Sequence, residues 1–313
     1  MFTVGLGPIA NSVFAVTTMA IAVPTGVKIF NWIGTMWRGS VHLTAAMLFS
    51  IGFIAMFIIG GLSGVMHSAA PSDAQQQDTY FVVAHIHYVL FGGSLFAIFS
   101  GIYYWFPKMT GKLLDEKLGK IHFFLTFLGM NITFFPMHFL GLGGMPRRIY
   151  TYDSGQGFEL WNLVATLGAV ILALSVLSFL HNFAKSVKNG EKAGDDPWDG
   201  RTLEWSIASP PPEYNFAEIP HVTKRDEFWD MKRRAKKLSN DGEIAEGGAG
   251  NIDVGSIHMP SPSYYPLLVS AGIVIVSYGI LYNLGLVVAG GLLGILSIYG
   301  WSFEPATEPN DEH

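Results

Sequence analysis

Long apolar runs dominate this chain and limit what it can become. A helix that crosses a bilayer needs about 17–25 predominantly apolar residues. Seven stretches meet that length, near residues 8–33, 42–66, 80–107, 118–142, 157–184, 263–284 and 286–302. In lipid every backbone N–H and C=O must find a partner within the protein, and continuous apolar runs of this length do so as helices. The expected fold is therefore an all-α membrane protein, a polytopic helix bundle. The last two runs meet around Asn283 and read either as a hairpin or as one long, kinked segment. Composition agrees: 14% of the 313 residues are charged, against about 25% in soluble domains.

Basic residues set the orientation, because Lys and Arg collect on the cytoplasmic side of membrane proteins. Arg38, Lys108, Lys112, Lys117, Lys120, Lys185, Lys188, Lys192 and the run Lys232–Lys237 all fall on one side of the seven spans. That side is assigned to the cytoplasm. The other side carries the acidic segment Pro71–Asp78 and only two cations, Arg147 and Arg148. Residues 191–261 form a polar loop with the proline run Pro210–Pro212 and a Gly-rich end. Residues 262–303 hold the C-terminal pair of spans, and 304–313 form a tail. The opening residues Met1–Ala10 show no basic n-region or small-residue cleavage site, so no signal peptide is expected. Cysteine is absent, which excludes disulfides and thiolate metal ligands. Nothing in the pattern points to nucleic acid.

The third span contains Ala84-His85-Ile86-His87-Tyr88. Positions i and i+2 of a helix stand about 200° apart, so the two imidazoles leave opposite faces. One metal favours a spacing of three or four residues; two cofactors flanking a single helix suit a spacing of two. Histidine in mid-membrane is costly without a partner, and haem iron is one such partner. A plainer reading has both rings hydrogen-bonded to neighbouring helices. Met145-Pro146-Arg147-Arg148 follows the fourth span on the side where cations are rare. Adjacent guanidiniums suit carboxylates such as haem propionates, or lipid phosphates at the interface. In the first span, spacings of seven and three place Thr18, Thr25 and Lys28 roughly along one face. Such a stripe of hydroxyls and an amine can relay protons. Taken alone, Lys28 also reads as a lysine snorkelling to the nearby cytoplasmic end.

Together these strings resemble subunit I of the haem–copper terminal oxidases. They are Phe2-Thr3-Val4-Gly5, Ala22-Val23-Pro24-Thr25-Gly26-Val27-Lys28, Asp78–Tyr88, Asn131-Ile132-Thr133-Phe134-Phe135-Pro136, His138-Phe139-Leu140-Gly141 and Met145–Arg148. They cover residues 1 to about 190 in the family's order, corresponding to the C-terminal half of its core. Thr202-Leu203-Glu204-Trp205 and Pro210–Pro212 are similar to the family's cytoplasmic tail. The resemblance implies that His85 ligates a high-spin haem and His87 a low-spin haem, both of haem a type. It further implies that Arg147 and Arg148 hold haem propionates with Asp73 nearby, and that Thr18, Thr25 and Lys28 belong to a proton path. Asp78 matches a ligand of a magnesium site, but Gln77 stands where many relatives carry the histidine of that site, and glutamine is the weaker ligand. Ile86 replaces an aromatic spacer between the two histidines. The last two spans lie beyond the common core.

In the family's pattern a His-His pair directly precedes Met1. The ligands of copper B, the second axial ligand of the low-spin haem and another proton channel would then lie upstream, and the chain reads as truncated or mis-started. The remaining histidines do not replace them. His42, His67, His122, His138 and His181 lie near span ends, and His221, His258 and His313 lie outside the spans. The implied parent activity is reduction of dioxygen to water with electrons from cytochrome c, coupled to proton translocation across a bacterial plasma membrane. Its partners would be subunit II with copper A, subunit III, the upstream half of subunit I and the lipid bilayer. Alternatives are a quinol oxidase subunit I, or a transporter or redox-silent scaffold in which the histidines only pack.

Overall fold

The computed structural model describes residues 2–240, the side chains of 238–240 apart, and 262–305. Among them the regular structure is helical. Seven helical stretches are long and apolar enough to cross a membrane: Gly7–Met36, Ala45–Ser68, Tyr80–Thr110, Glu116–Leu142, Glu159–Asn189, Tyr265–Tyr282 and Leu284–Ser302. They follow the expected order and lie within a few residues of the expected bounds.

Three spans are interrupted, each for a local reason. The first divides at Ile21 into α1 (Gly7–Ala20) and α2 (Ala22–Met36). Pro24 lacks an N–H for the preceding turn, and the Thr25 hydroxyl donates to the Ile21 carbonyl at 2.9 Å. The second span is α3 (Ala45–Ser68), and a short helix α4 (Ala70–Gln76) follows it. The third consists of α5 (Tyr80–Leu90), one π-helical turn at Phe91–Leu95, and α6 (Phe96–Thr110). Gly92 lies in that turn, and a Cβ there would sit 2.6 Å from Met56 Cβ on α3. The wider turn is thus built where two backbones approach closely. The fourth span divides before Pro136 into α7 (Glu116–Phe134) and α8 (Pro136–Leu142), and the fifth is α9 (Glu159–Asn189).

The chain forms two compact units, one of residues 1–200 with 208–210 and one of 201–207 with 211–313. The first unit centres on Phe49, Met56, Tyr88, Phe96, Tyr103, Phe123 and Met130. Lipid gives little hydrophobic drive between helices, so close packing and polar contacts must hold them together. Here Ser50 meets Ser100 at 2.7 Å, and Thr126 meets Ser175 at 3.2 Å. The Tyr88 hydroxyl donates to Asn131 at 2.8 Å. In the second unit, α11 (Tyr265–Tyr282) and α12 (Leu284–Ser302) form a hairpin, with Asn283 capping α12. This settles the two readings of the last spans in favour of the hairpin. The polar loop also contains a helix, α10 (Glu227–Asn240). The Gly-rich end of that loop, His258, His313 and the tail after 305 lie outside the described residues.

Asp115 ties α7 to α9. One carboxylate oxygen accepts from the Lys117 and Leu118 amides, and the other accepts from Lys185 Nζ at 2.7 Å. The Lys185 hydrogen bond, then the Leu118 amide, holds the Asp115 carboxyl below the usual aspartate range. A lowered folded value means that this stabilisation is present above the ordinary aspartate value and is lost as pH falls through the lowered one. Asp115→Ala removes a helix cap and should cost about 1 kcal/mol. Thermal unfolding of the solubilised protein should show that loss at neutral pH, with the gap to wild type narrowing in acid.

Candidate functional site

The two histidines of α5 stand on opposite sides of the helix. His85 faces α3, where its Nδ1 lies 3.0 Å from the Gly60 carbonyl and 2.9 Å from Ser63 Oγ. A carbonyl only accepts, so Nδ1 carries the proton and Nε2 keeps its lone pair. His87 faces α7, with its ring stacked on Phe134 at 4.0 Å between centroids. Its Nδ1 lies 2.7 Å from the Val83 carbonyl one turn back, so the same tautomer follows. This is the arrangement seen in metal-ligating histidines, whose second nitrogen is fixed by a hydrogen bond to a carbonyl.

Gly60 makes the His85 contact possible. A Cβ at that position would stand 3.0 Å from the Val89 amide nitrogen and 3.1 Å from the Tyr88 carbonyl carbon. Glycine there eases the close approach of α3 to α5 that offers its carbonyl. A mostly apolar cavity of about 720 Å³ opens beside His85, lined by residues of α1, α2, α3 and α5 that include Thr18, Thr25, Phe57, His67 and Val89. Thr18 and Thr25 therefore share one wall with His85. Lys28 does not line the cavity and stands exposed on α2, so the expected stripe reaches the cavity only through its two threonines.

His67 and Asp73 form a contact that the sequence reading missed. His67 Nδ1 lies 3.1 Å from Asp73 Oδ1, and both side chains are largely buried. The His67 ring meets the His85 ring edge to face, 5.1 Å between centroids. In the sequence His67 is a polar residue at a span end, and its one signal there is an acid six residues later. His138 on α8 also has its Nδ1 on a carbonyl, that of Phe135 at 3.1 Å, but its ring packs on Phe81 and Tyr88.

On the same side of the spans as Asp73, Asp78 and Arg147 come together across 69 residues. Arg147 Nε and Nη2 donate to the same Asp78 oxygen at 2.9 and 2.7 Å. Backbone pairing supports the contact: Tyr80 N donates to Met145 O and Arg147 N to Asp78 O. Asp78 and Arg148 take left-handed conformations, with φ of 57° and 65°. Arg147 keeps its Nη1 edge, and Arg148 is exposed without an acidic partner among the described residues. The Asp78 carboxylate, expected to serve magnesium, accepts from Arg147 through Oδ1. Among the described residues no three His, Asp or Glu side chains gather as a metal cluster.

Residues 1–171 match the family described as Cytochrome C and Quinol oxidase polypeptide I. The chain belongs to that family. It is 51% identical over 284 residues to cytochrome c oxidase subunit 1 of Bacillus subtilis, covering 90% of this chain and 44% of that one. It is 49% identical over 308 residues to cytochrome c oxidase subunit 1 of Bacillus sp. strain PS3, covering 97% and 48%. It is also 42% identical to quinol oxidase subunit 1 of Bacillus subtilis, covering 94% and 44%. The chain thus spans about half the length of the curated relatives it matches. A cryo-EM structure of a heme-copper terminal oxidase dimer shares the fold, with a TM-score of 0.51 and 17% identity over 77% of this chain and 53% of that one. The oxidase polypeptide I fold thus accounts for the all-α bundle.

Two neighbouring glycines test the geometry around His85. Gly60→Val places a branched side chain against the α5 backbone and should destabilise the protein by about 1–3 kcal/mol. Gly61→Ala, where a Cβ meets nothing within 4 Å, should leave stability unchanged or slightly raised. Thermal midpoints of the two variants, compared with wild type, check both.

Proposed function

We propose that this chain is part of the catalytic subunit of a respiratory terminal oxidase that reduces dioxygen to water with electrons from cytochrome c. Proton translocation across a bacterial plasma membrane would accompany the reaction. The observation that carries the proposal is the pair of imidazoles on opposite faces of α5, each with Nδ1–H directed to a backbone carbonyl. Each therefore presents Nε2 as a lone-pair donor, as a haem iron requires. The cavity beside His85 fits the apolar plane of a macrocycle better than it fits a hydrated ion.

In this reading His85 holds the high-spin haem and His87 the low-spin haem, both of haem a type. Bound there, the haems, together with copper B, supply the redox chemistry that carries electrons to dioxygen. The copper B ligands and the second axial ligand come from outside this chain, from the upstream half of subunit I. Gly60 and Ser63 fix the orientation of the His85 ring, while Phe134 and Val83 fix that of His87. Arg147, through its remaining Nη1 edge, and Arg148 are assigned to the propionate carboxylates. Asp73 holds His67 against His85. Thr18 and Thr25 offer hydroxyls along the cavity wall, and Lys28 is assigned as the proton entry on α2. Subunit II with copper A, subunit III and cytochrome c complete the assembly.

A quinol oxidase is the second reading, because a quinol oxidase subunit 1 is among the relatives at 42% identity. The higher identity to cytochrome c oxidases, 51% and 49%, favours cytochrome c. A copper-bearing subunit II in the purified complex decides between them.

Visible absorption of the complex tests the assignment. His85→Ala should remove the high-spin signal and keep the low-spin one, and His87→Ala should do the reverse. Wild-type spectra without haem bands, or bands untouched by either change, would favour the redox-silent scaffold. Lys28→Met should slow turnover by about 100-fold or more, the scale of a lost proton-transfer group, with both haem signals intact. Unchanged turnover would remove Lys28 from the proton path.

A further inference from the structure

The oxidase reading leaves α10 without a task. This helix lies in the second unit, within the loop between the fifth and sixth spans, on the side that the basic residues assign to the cytoplasm. At about 100° per residue, its side chains sort into distinct faces. Glu227 and Asp230 lie on one side, where Asp230 pairs with Lys224 at 2.8 Å and with Arg234 at 2.5 Å. Trp229, Arg233, Lys236 and Lys237 occupy the arc adjoining Asp230 and line one shallow hollow. Lys232 borders this arc, its ammonium over the Phe228 and Trp229 rings at 4.6 and 5.6 Å.

The charges on the two sides are met differently. Arg234 has its carboxylate, and Glu227 ties the preceding turn to the helix by accepting from the Thr223 and Lys224 amides. Arg233, Lys236 and Lys237 are exposed and have no acidic partner among the described residues. Trp229 is held in place, with the Arg201 guanidinium 4.7 Å from its ring centroid. The result is three unneutralised cations grouped around a fixed indole. Indole rings favour the headgroup region of a bilayer, and clustered cations beside a cytoplasmic membrane surface attract anionic lipids.

We propose that this face of α10 binds the phosphate groups of anionic phospholipids in the cytoplasmic leaflet. Arg233, Lys236 and Lys237 contact the phosphates, and Trp229 sits at headgroup depth. The proposal rests on the membrane orientation used in the oxidase reading, and it adds a lipid site that the redox reaction does not require. Each cation near an anionic surface contributes about fivefold to affinity, so the three together favour anionic over neutral lipid by about 100-fold.

The test uses the intact oxidase complex in nanodiscs, either of phosphatidylcholine alone or of phosphatidylcholine mixed with phosphatidylglycerol. Lysine acylation rates, read residue by residue by mass spectrometry, report the exposure of Lys236 and Lys237. Both should label at least about tenfold more slowly in the phosphatidylglycerol discs, and high salt should abolish the difference. Arg233→Gln should weaken the protection about fivefold. Equal and rapid labelling in both lipids would overturn the proposal and leave a solvated face. Equal protection in both would overturn it in favour of a protein neighbour. Protection in phosphatidylcholine discs by added inorganic phosphate alone would overturn the lipid assignment. The haem bands of the same sample report the oxidase reading separately, so the two failures are distinguishable.

Discussion

The hydrogen bond between His85 Nδ1 and the Gly60 carbonyl is the contact on which the site depends. It requires the Gly60 carbonyl to face a neighbouring helix and an approach of α3 to α5 that leaves little room for a Cβ at Gly60. The approach continues at Gly92, where the π-helical turn carries the backbone past Met56. π-Helical turns are rare and tend to occur at functional sites. This one begins three residues after Tyr88 and adjusts the course of the third span beyond the two histidines. Once α3 and α5 are locked in this way, the cavity beside His85 has fixed walls, and His67 has a ring to pack against.

Bilayer physics explains how the rest of the first unit supports that contact. Apolar surface is available everywhere in lipid, so helices gain specificity from small residues and from paired polar groups. The Ser50–Ser100, Thr126–Ser175 and Tyr88–Asn131 contacts each join side chains at least 43 residues apart. Asp115 and Asn182 do the same near the cytoplasmic end, where Asn182 accepts from the Asp115 amide and donates to its carbonyl. The arginine pair on the opposite side follows the same logic. Arg147 is positioned by Asp78, and the donors it does not use there remain available to a carboxylate ligand.

Features with a local cause were legible in the sequence. The spans follow from apolar length, the opposite faces of His85 and His87 from a two-residue spacing, and the hairpin bounds from Asn283. Proline positions could have announced the breaks at Ile21 and before Pro136, although the apolar runs read as continuous. The contacts that depend on tertiary approach were not legible. Nothing in the sequence near His67 shows that its ring meets His85, and nothing near Asp78 shows its ion pair with Arg147, 69 residues away. Helix α10 was hidden for another reason. Its apolar stripe of Phe228, Met231 and Ala235 is short and set among many charged residues, so a search for long apolar runs passes over it.

In the proposed oxidase, one helix separates two haems, held by His85 on one face and by His87 on the other. A cryo-EM map of the intact complex containing this chain tests it most directly. Two planar densities should flank α5, one in the cavity walled by Thr18, Thr25 and His67, the other beside Phe134. Each should be continuous with the Nε2 of its histidine. A single density, two on the same face, or side-chain packing in their place would contradict it.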